Sequence, residues 1–166
     1  QPLAHHAIRP ASLLIAETEG RDAALRFLDD LCGRFPYSCP LLTLRIEWLR
    51  EEGGDRLITR LRELLQTNPM DAWGWRELAL HLPLPEALDA ANEAVRLEPH
   101  MSQGYGIRGD LHFKCDRVDE ARADWLQAIR LEIDNGYAVT RFVNHAPTLL
   151  ARKEALTVVA EELRRQ

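Results

Sequence analysis

The sequence predicts an all-α protein, an array of about ten helices arranged as antiparallel pairs. Three observations predict it: a segment that recurs thirty-four residues on, apolar residues at three- and four-residue steps within each copy, and Gly or Pro at the joints. The recurrence is plainest where Ala87, Ala91, Ala94 and Leu97 return as Ala121, Trp125, Ala128 and Leu131. Stepping towards the N-terminus, Leu57, Leu61, Leu64 and Pro69 repeat the same pattern, and Ala24, Leu28, Leu31 and Pro36 repeat it once more. Four second helices are therefore expected near 21–34, 54–66, 85–97 and 118–131, each with its apolar residues on one face. Matching first helices are expected near 10–18, 40–51, 71–81 and 102–114, with Pro10 at the start of the first. A last pair, near 136–145 and 148–164, is interrupted by Pro147. Outside a stripe of Leu149, Leu156, Val159 and Leu163 it is rich in Arg and Glu, as expected of a cap that covers the end of a stack. Gly20 and Gly53-Gly54 fall between paired helices, where a left-handed residue ends one helix. Pro36, Pro69 and Pro99 follow second helices and cannot continue them.

These residues carry a family resemblance. Tyr105, Arg108, Gly109 and His112, followed by Ala121, Trp125 and Ala128, resemble the tetratricopeptide repeat, whose period is 34. The preceding copy reads Trp75, Leu78, Ala79 and Leu82, then Ala87, Ala91, Ala94 and Pro99. Its two helices are joined by a connection four residues shorter, the deletion falling at Pro83-Leu84-Pro85. The resemblance implies a right-handed superhelical α-solenoid formed by a single domain over 1–166, with repeats near 5–37, 38–69, 70–101 and 102–135 and a capping pair over 136–166. It also gives the residues of the motif (Trp75, Leu78, Ala79, Ala87, Ala94, Tyr105, Gly109, Ala121, Trp125 and Ala128) a packing role between helices. Arg108 stands where an apolar residue is usual. It either pairs with a nearby acid such as Asp124 or faces an acidic ligand.

Composition excludes several classes of function. The chain has 21 basic and 26 acidic residues, a formal net charge of −5, which disfavours non-specific binding to nucleic acid. With 46% hydrophobic and 28% charged residues it is far from the composition of disordered chains. Charges interrupt every apolar run before the ~18 residues of a membrane span. Cys32, Cys39 and Cys115 are odd in number and form no CxxC pair, as expected of free thiols in a reducing compartment, the cytoplasm by default. The opening Gln1-Pro2-Leu3-Ala4-His5-His6 fits neither a signal peptide nor a natural start, so the sequence reads as a piece of a longer, bacterial-type chain. Arg so outnumbers Lys, present only at positions 114 and 153, that codon usage explains the bias as readily as function does.

No constellation for catalysis is visible. Gly104, Gly106 and Gly109 spell G-x-G-x-x-G, but no strand pattern precedes them, and that motif cradles a dinucleotide only between a strand and a helix. His5 and His6 are neighbours that would diverge by ~100° on a helix. His81, His100, His112 and His145 lie in different repeats without metal-ligand spacing. Ser12, Ser38 and Ser102 have no nucleophile-elbow setting, and Ser102 sits where a helix N-cap is wanted. Glu51-Glu52, Asp29-Asp30 and Glu161-Glu162 are adjacent pairs that point apart and read as solvated faces. No cofactor or metal is expected, and the chain by itself is not expected to be an enzyme.

In tetratricopeptide proteins the first helix of each pair lines a concave groove that holds a peptide or partner helix. Carried over residue by residue, the resemblance implies groove contacts at Cys39, Leu42, Ile46 and Arg50 in the second repeat, and at Trp73, Arg76 and Leu80 in the third. The fourth contributes Gln103, Gly106, Asp110, Phe113 and Lys114, and the last pair Tyr137, Thr140 and Asn144. The carboxylate clamp of chaperone-binding members is lacking, since Leu42, Ile46 and Arg50, then Gly106 and Asp110, occupy its positions and Arg76 is the one well-placed lone cation. The expected function is a protein-interaction module appended to a larger protein, with a protein or peptide partner and neither nucleic acid nor membrane. Two alternatives stay open: a structural or homodimerising solenoid whose apolar face another copy or a flanking region covers, and a contribution to an active site shared with other parts of the protein.

Overall fold

The computed structural model describes residues 5–50 and 53–165, and all ten elements within them are α-helices. In chain order they are α1 (His5–Glu19), α2 (Arg21–Arg34), α3 (Cys39–Leu49), α4 (Gly54–Thr67), α5 (Ala72–His81), α6 (Glu86–Leu97), α7 (Ser102–Lys114), α8 (Val118–Leu131), α9 (Gly136–Asn144) and α10 (Leu149–Arg165). These spans fall where periodicity and punctuation place them, with one marked difference. Helix α1 begins at His5, and Pro10 lies inside it rather than at its start. Pro10 is exposed, so the His6 carbonyl that loses its partner at position 10 can turn to water. The opening Gln1–Ala4, the side chain of His5, and the Glu51-Glu52 pair lie outside the described residues. No described helix is long and apolar enough to cross a membrane.

The chain divides into two compact units, Gln1–Gly74 and Trp75–Gln166, with the division falling inside α5. In the first unit α1 packs on α2, α2 on α3 and α3 on α4. Leu28, Leu57, Leu61 and Leu64 are wholly buried there, each at a position the repeat marks as apolar, and Ile46 is wholly buried beside them. The joints use left-handed glycines, with φ +92° at Gly20 and +64° at Gly53, where any other L-residue would be strained. Gly74, in the first turn of α5, lets that turn approach α4. A Cβ there would lie 3.1 Å from Leu65 Cδ2.

In the second unit the side chains form two clusters. Ala79, Ala87, Leu88, Ala90, Ala91 and Leu111 join α5, α6 and α7, and Trp125, Ile129, Ala138, Phe142, Ala155 and Val159 join α8, α9 and α10. Helices α7 and α8 approach closely, because Gly109 presents only backbone to Trp125. A Cβ at Gly109 would sit 2.7 Å from the indole. A Cβ at Gly104 would likewise lie 3.2 Å from Val95 Cγ2 across the α6–α7 contact. Two of the three glycines of the G-x-G-x-x-G string thus serve helix packing, and all three lie inside α7 with no strand before them.

Three sequence expectations are corrected here. Ser102 is not an N-cap: Met101 occupies that position, and the buried Ser102 hydroxyl donates to the Glu132 carboxylate and accepts from Asn135 Nδ2. Asp29 and Glu162 do not belong to solvated faces. Asp29 is surrounded by Arg45, Arg56 and Arg60, and the buried Glu162 accepts from Arg130 at 3.0 Å and Arg165 at 3.2 Å. The cap stripe on α10 also divides. Val159 turns inward with Ala155 and Glu162, whereas Leu149, Leu156 and Leu163 face solvent.

Candidate functional site

The first-helix positions named by the resemblance fare differently in the two units. In the first unit Ile46 is wholly buried, and Leu42, 3% exposed, shows only an edge in the wall of a cleft. The physical reason lies in α3 itself, whose Leu41, Leu42, Leu44, Ile46 and Leu49 run round the helix and are buried on several sides. Cys39 and Trp73 are half-buried, and Arg50 is exposed. What the unit does present is a cleft of about 360 Å3 lined by α2, α3 and α4. At its floor Arg45, 3% exposed, donates to Glu63 at 2.7 Å and lies 3.5 Å from Asp29. Arg60 donates to Glu63 at 2.6 Å and lies 3.7 Å from Asp29. Two arginines against two carboxylates leave the cleft without net charge. Burial pushes the Cys32 thiol above its ordinary pKa, so it stays protonated and unreactive.

In the second unit the candidate contacts come together on α7 and α9, two neighbouring first helices. Their centre is Asp110. Trp125, wholly buried on α8, donates its indole N–H to Asp110 Oδ1 at 3.1 Å. From α9, the Tyr137 hydroxyl donates to Asp110 Oδ2, and Arg141 Nε lies 3.2 Å from Asp110 Oδ1. Arg141 also donates to the Tyr137 oxygen at 3.1 Å, with its guanidinium 5.2 Å from the Tyr137 ring centre. One carboxylate therefore ties together three helices. Burial of the hydroxyl, reinforced by its bond to Asp110, raises the Tyr137 pKa, so the phenol stays protonated and remains a donor at neutral pH.

Aromatic packing fixes one end of this surface. Phe113 on α7 lies 4.2 Å, centre to centre, from His145, which follows α9 and stacks on Trp125 at 5.3 Å. Asn135 starts α9 by accepting from the Ala138 N–H at 3.1 Å, the helix cap that sets where Tyr137 points. On this frame Gln103, Lys114, Thr140 and Asn144 are exposed, and Tyr137 remains 52% exposed although its hydroxyl is engaged. Leu80 on α5 is 54% exposed. Arg76 is corrected: it is 9% exposed and its guanidinium is held by Glu98, so it is no lone cation.

Arg108 takes the first of its two expected roles. Its Nε and Nη2 grip Asp124 at 2.8 and 2.6 Å, and its guanidinium lies over the Tyr105 ring. The His112 imidazole is 3.8 Å from Asp124, but desolvation lowers its pKa below the ordinary value and favours the neutral ring. Among the described residues no group of three His, Cys, Asp or Glu side chains is placed to hold a metal ion. The Asp110 hub and the Arg45 cluster went unnoticed as networks in the sequence. The bonds that tie separate helices in them join residues 15 to 31 apart, and no periodic signal links them.

Comparison with protein-family models finds no match, and no curated protein matches in sequence. Solved structures do match. A double mutant of MamA superposes with a TM-score of 0.78 at 17% identity, over 98% of this chain and 96% of that one. MamA from Desulfovibrio magneticus RS-1 gives 0.76 at 17% identity over the same shares. A thermophilic TPR protein of Thermus thermophilus gives 0.65 at 19% identity, over 97% of this chain and 91% of that one. The chain therefore has the all-α tetratricopeptide-like helical-repeat fold seen in MamA and in the Thermus protein.

Proposed function

We propose that the chain is a protein-interaction module, without catalysis of its own, that holds a segment of a partner protein across α7 and α9. The observation that carries this reading is the Asp110 hub. It fixes Tyr137 and Arg141 against α7 before any partner arrives, so a ligand does not have to order them. The exposed Tyr137 ring supplies a rigid, largely apolar anchor of the kind that dominates binding energy. Lys114, Gln103 and Asn144 offer an exposed cation and two amides around it. The free thiols of Cys32, Cys39 and Cys115 support a reducing, cytoplasmic setting.

Peptides selected from a random displayed library on the wild-type protein test the reading. Their affinity is expected to fall at least tenfold with Tyr137→Ala and with Lys114→Glu, and to stay unchanged with Arg26→Ala on the exposed side of α2. Selected peptides that bind all four proteins alike would place the site elsewhere.

A further inference from the structure

Two leucine surfaces, one on the first helix and one on the last, are exposed to solvent. Along α10, Leu149, Leu156 and Leu163 recur at seven-residue steps and are 71%, 53% and 58% exposed. At about 100° per residue the three fall within a stripe roughly 40° wide, bordered by Arg152, Lys153 and Arg164, while Glu154 and Glu161 lie well round the helix from it. On α1, Leu13 and Leu14 are 51% and 61% exposed, with Glu17 one turn on. The one cation beside them, Arg9, is engaged by Glu47 at 2.6 Å, so the acid sets the charge of that surface. Terminal repeats of a helical array ordinarily carry polar outer faces. Here both ends are apolar, one rimmed by cations and the other by an acid.

We propose that these two surfaces form one interface between copies of the chain, α10 of one copy packing on α1 of the next. Leucines meet leucines, and Lys153 faces Glu17. Pairing α10 with its own counterpart would instead bring Arg152, Lys153 and Arg164 of one copy towards the same three cations of the other, and like charges oppose that contact. A surface that meets a different surface on the next copy makes a head-to-tail assembly. This contact is separate from the α7–α9 surface, so either can fail without the other.

Blocking one surface at a time tests the proposal by light scattering. Leu14→Glu disables the α1 surface and Leu156→Glu the α10 surface. Both positions are exposed, and helicity by circular dichroism checks that each variant folds. Each variant alone is expected to be a monomer of 19.0 kDa, and an equimolar mixture is expected to give a species of twice that mass, because one intact surface remains on each. Self-association of Leu14→Glu alone would mean that α10 pairs with itself, and would overturn the proposal. Monomers in the mixture, or monomeric wild type at about 0.5 mM, would overturn it too. Charge exchange gives an independent check: Glu17→Lys and Lys153→Glu each weaken wild-type association severalfold, and the double variant recovers most of it. Failure of the double variant to recover contradicts the pairing of these two residues.

Discussion

Gly106 and Gly109 stand three residues apart in α7, yet an added methyl group should act on them with opposite signs. At Gly109 the new Cβ lies 2.7 Å from Trp125 Cδ1 and Nε1 and 3.1 Å from the Ala121 carbonyl, well inside ordinary contact. Trp125 is wholly buried and its indole N–H is bonded to Asp110, so it can yield only by opening the α7–α8 contact or stretching that bond. Overpacking of this kind costs about 1–3 kcal/mol, and a weakened buried hydrogen bond adds about 1 kcal/mol. Against this, Ala in a helix interior gains about 1 kcal/mol over Gly. Gly109→Ala is therefore expected to destabilise by about 1–3 kcal/mol. At Gly106 a Cβ meets nothing within 4 Å, so only the propensity gain remains and Gly106→Ala is expected to stabilise by about 0.5–1 kcal/mol. Urea denaturation of both variants beside wild type, followed by circular dichroism, measures the two shifts. Shifts of the same sign, or a stabilising Gly109→Ala, would refute the close approach of α7 to α8.

Three further outcomes follow from the same geometry. Asp110→Ala strands the buried Trp125 N–H and releases Tyr137, with an expected loss of about 2–3 kcal/mol in urea denaturation, whereas Asp110→Asn keeps an acceptor and loses less. His112 has a folded-state pKa below its unfolded value, so the unfolded chain binds the proton more readily, and the stability this ring supports is complete above about pH 6.5 and drains away as the pH falls below it. Wild type should accordingly lose more stability than His112→Phe between pH 7.5 and pH 5.5 in parallel urea melts. Asp116 holds φ +58° between α7 and α8, a conformation that a short polar side chain tolerates and a β-branched one does not. Asp116→Val should cost about 1–2 kcal/mol by thermal melting, and Asp116→Gly should cost nothing.

The helix-pair array was legible because its signal is local. The recurrence of Ala87, Ala91 and Ala94 as Ala121, Trp125 and Ala128 marks helices whose packing repeats with the sequence, and Gly20 and Gly53 mark joints whose positive φ only glycine accepts readily. The candidate surface was legible only in part, because facing direction is set by neighbours. Ile46 shares the helix position of the exposed Leu80, but α3 is apolar on several sides and the packing of α2 and α4 around it decides its burial. The leucines of α10 show the converse. Their seven-residue spacing names a stripe without saying which way it turns, and the structure buries Ala155 and Val159 instead. Asp110 was marked as a groove position, but its role as a hub depends on Trp125, Tyr137 and Arg141 arriving from two other helices.

The central claim, that α7 and α9 together present a partner-binding surface, is tested most directly by amide chemical-shift mapping of the 15N-labelled protein, with a peptide selected on the wild type added in steps. The largest shifts are expected at Gln103, Lys114, Tyr137, Thr140 and Asn144, with little change on the outer face of α8. Saturable binding whose shifts fall on α8, or on the α2–α4 cleft of the first unit, would contradict it.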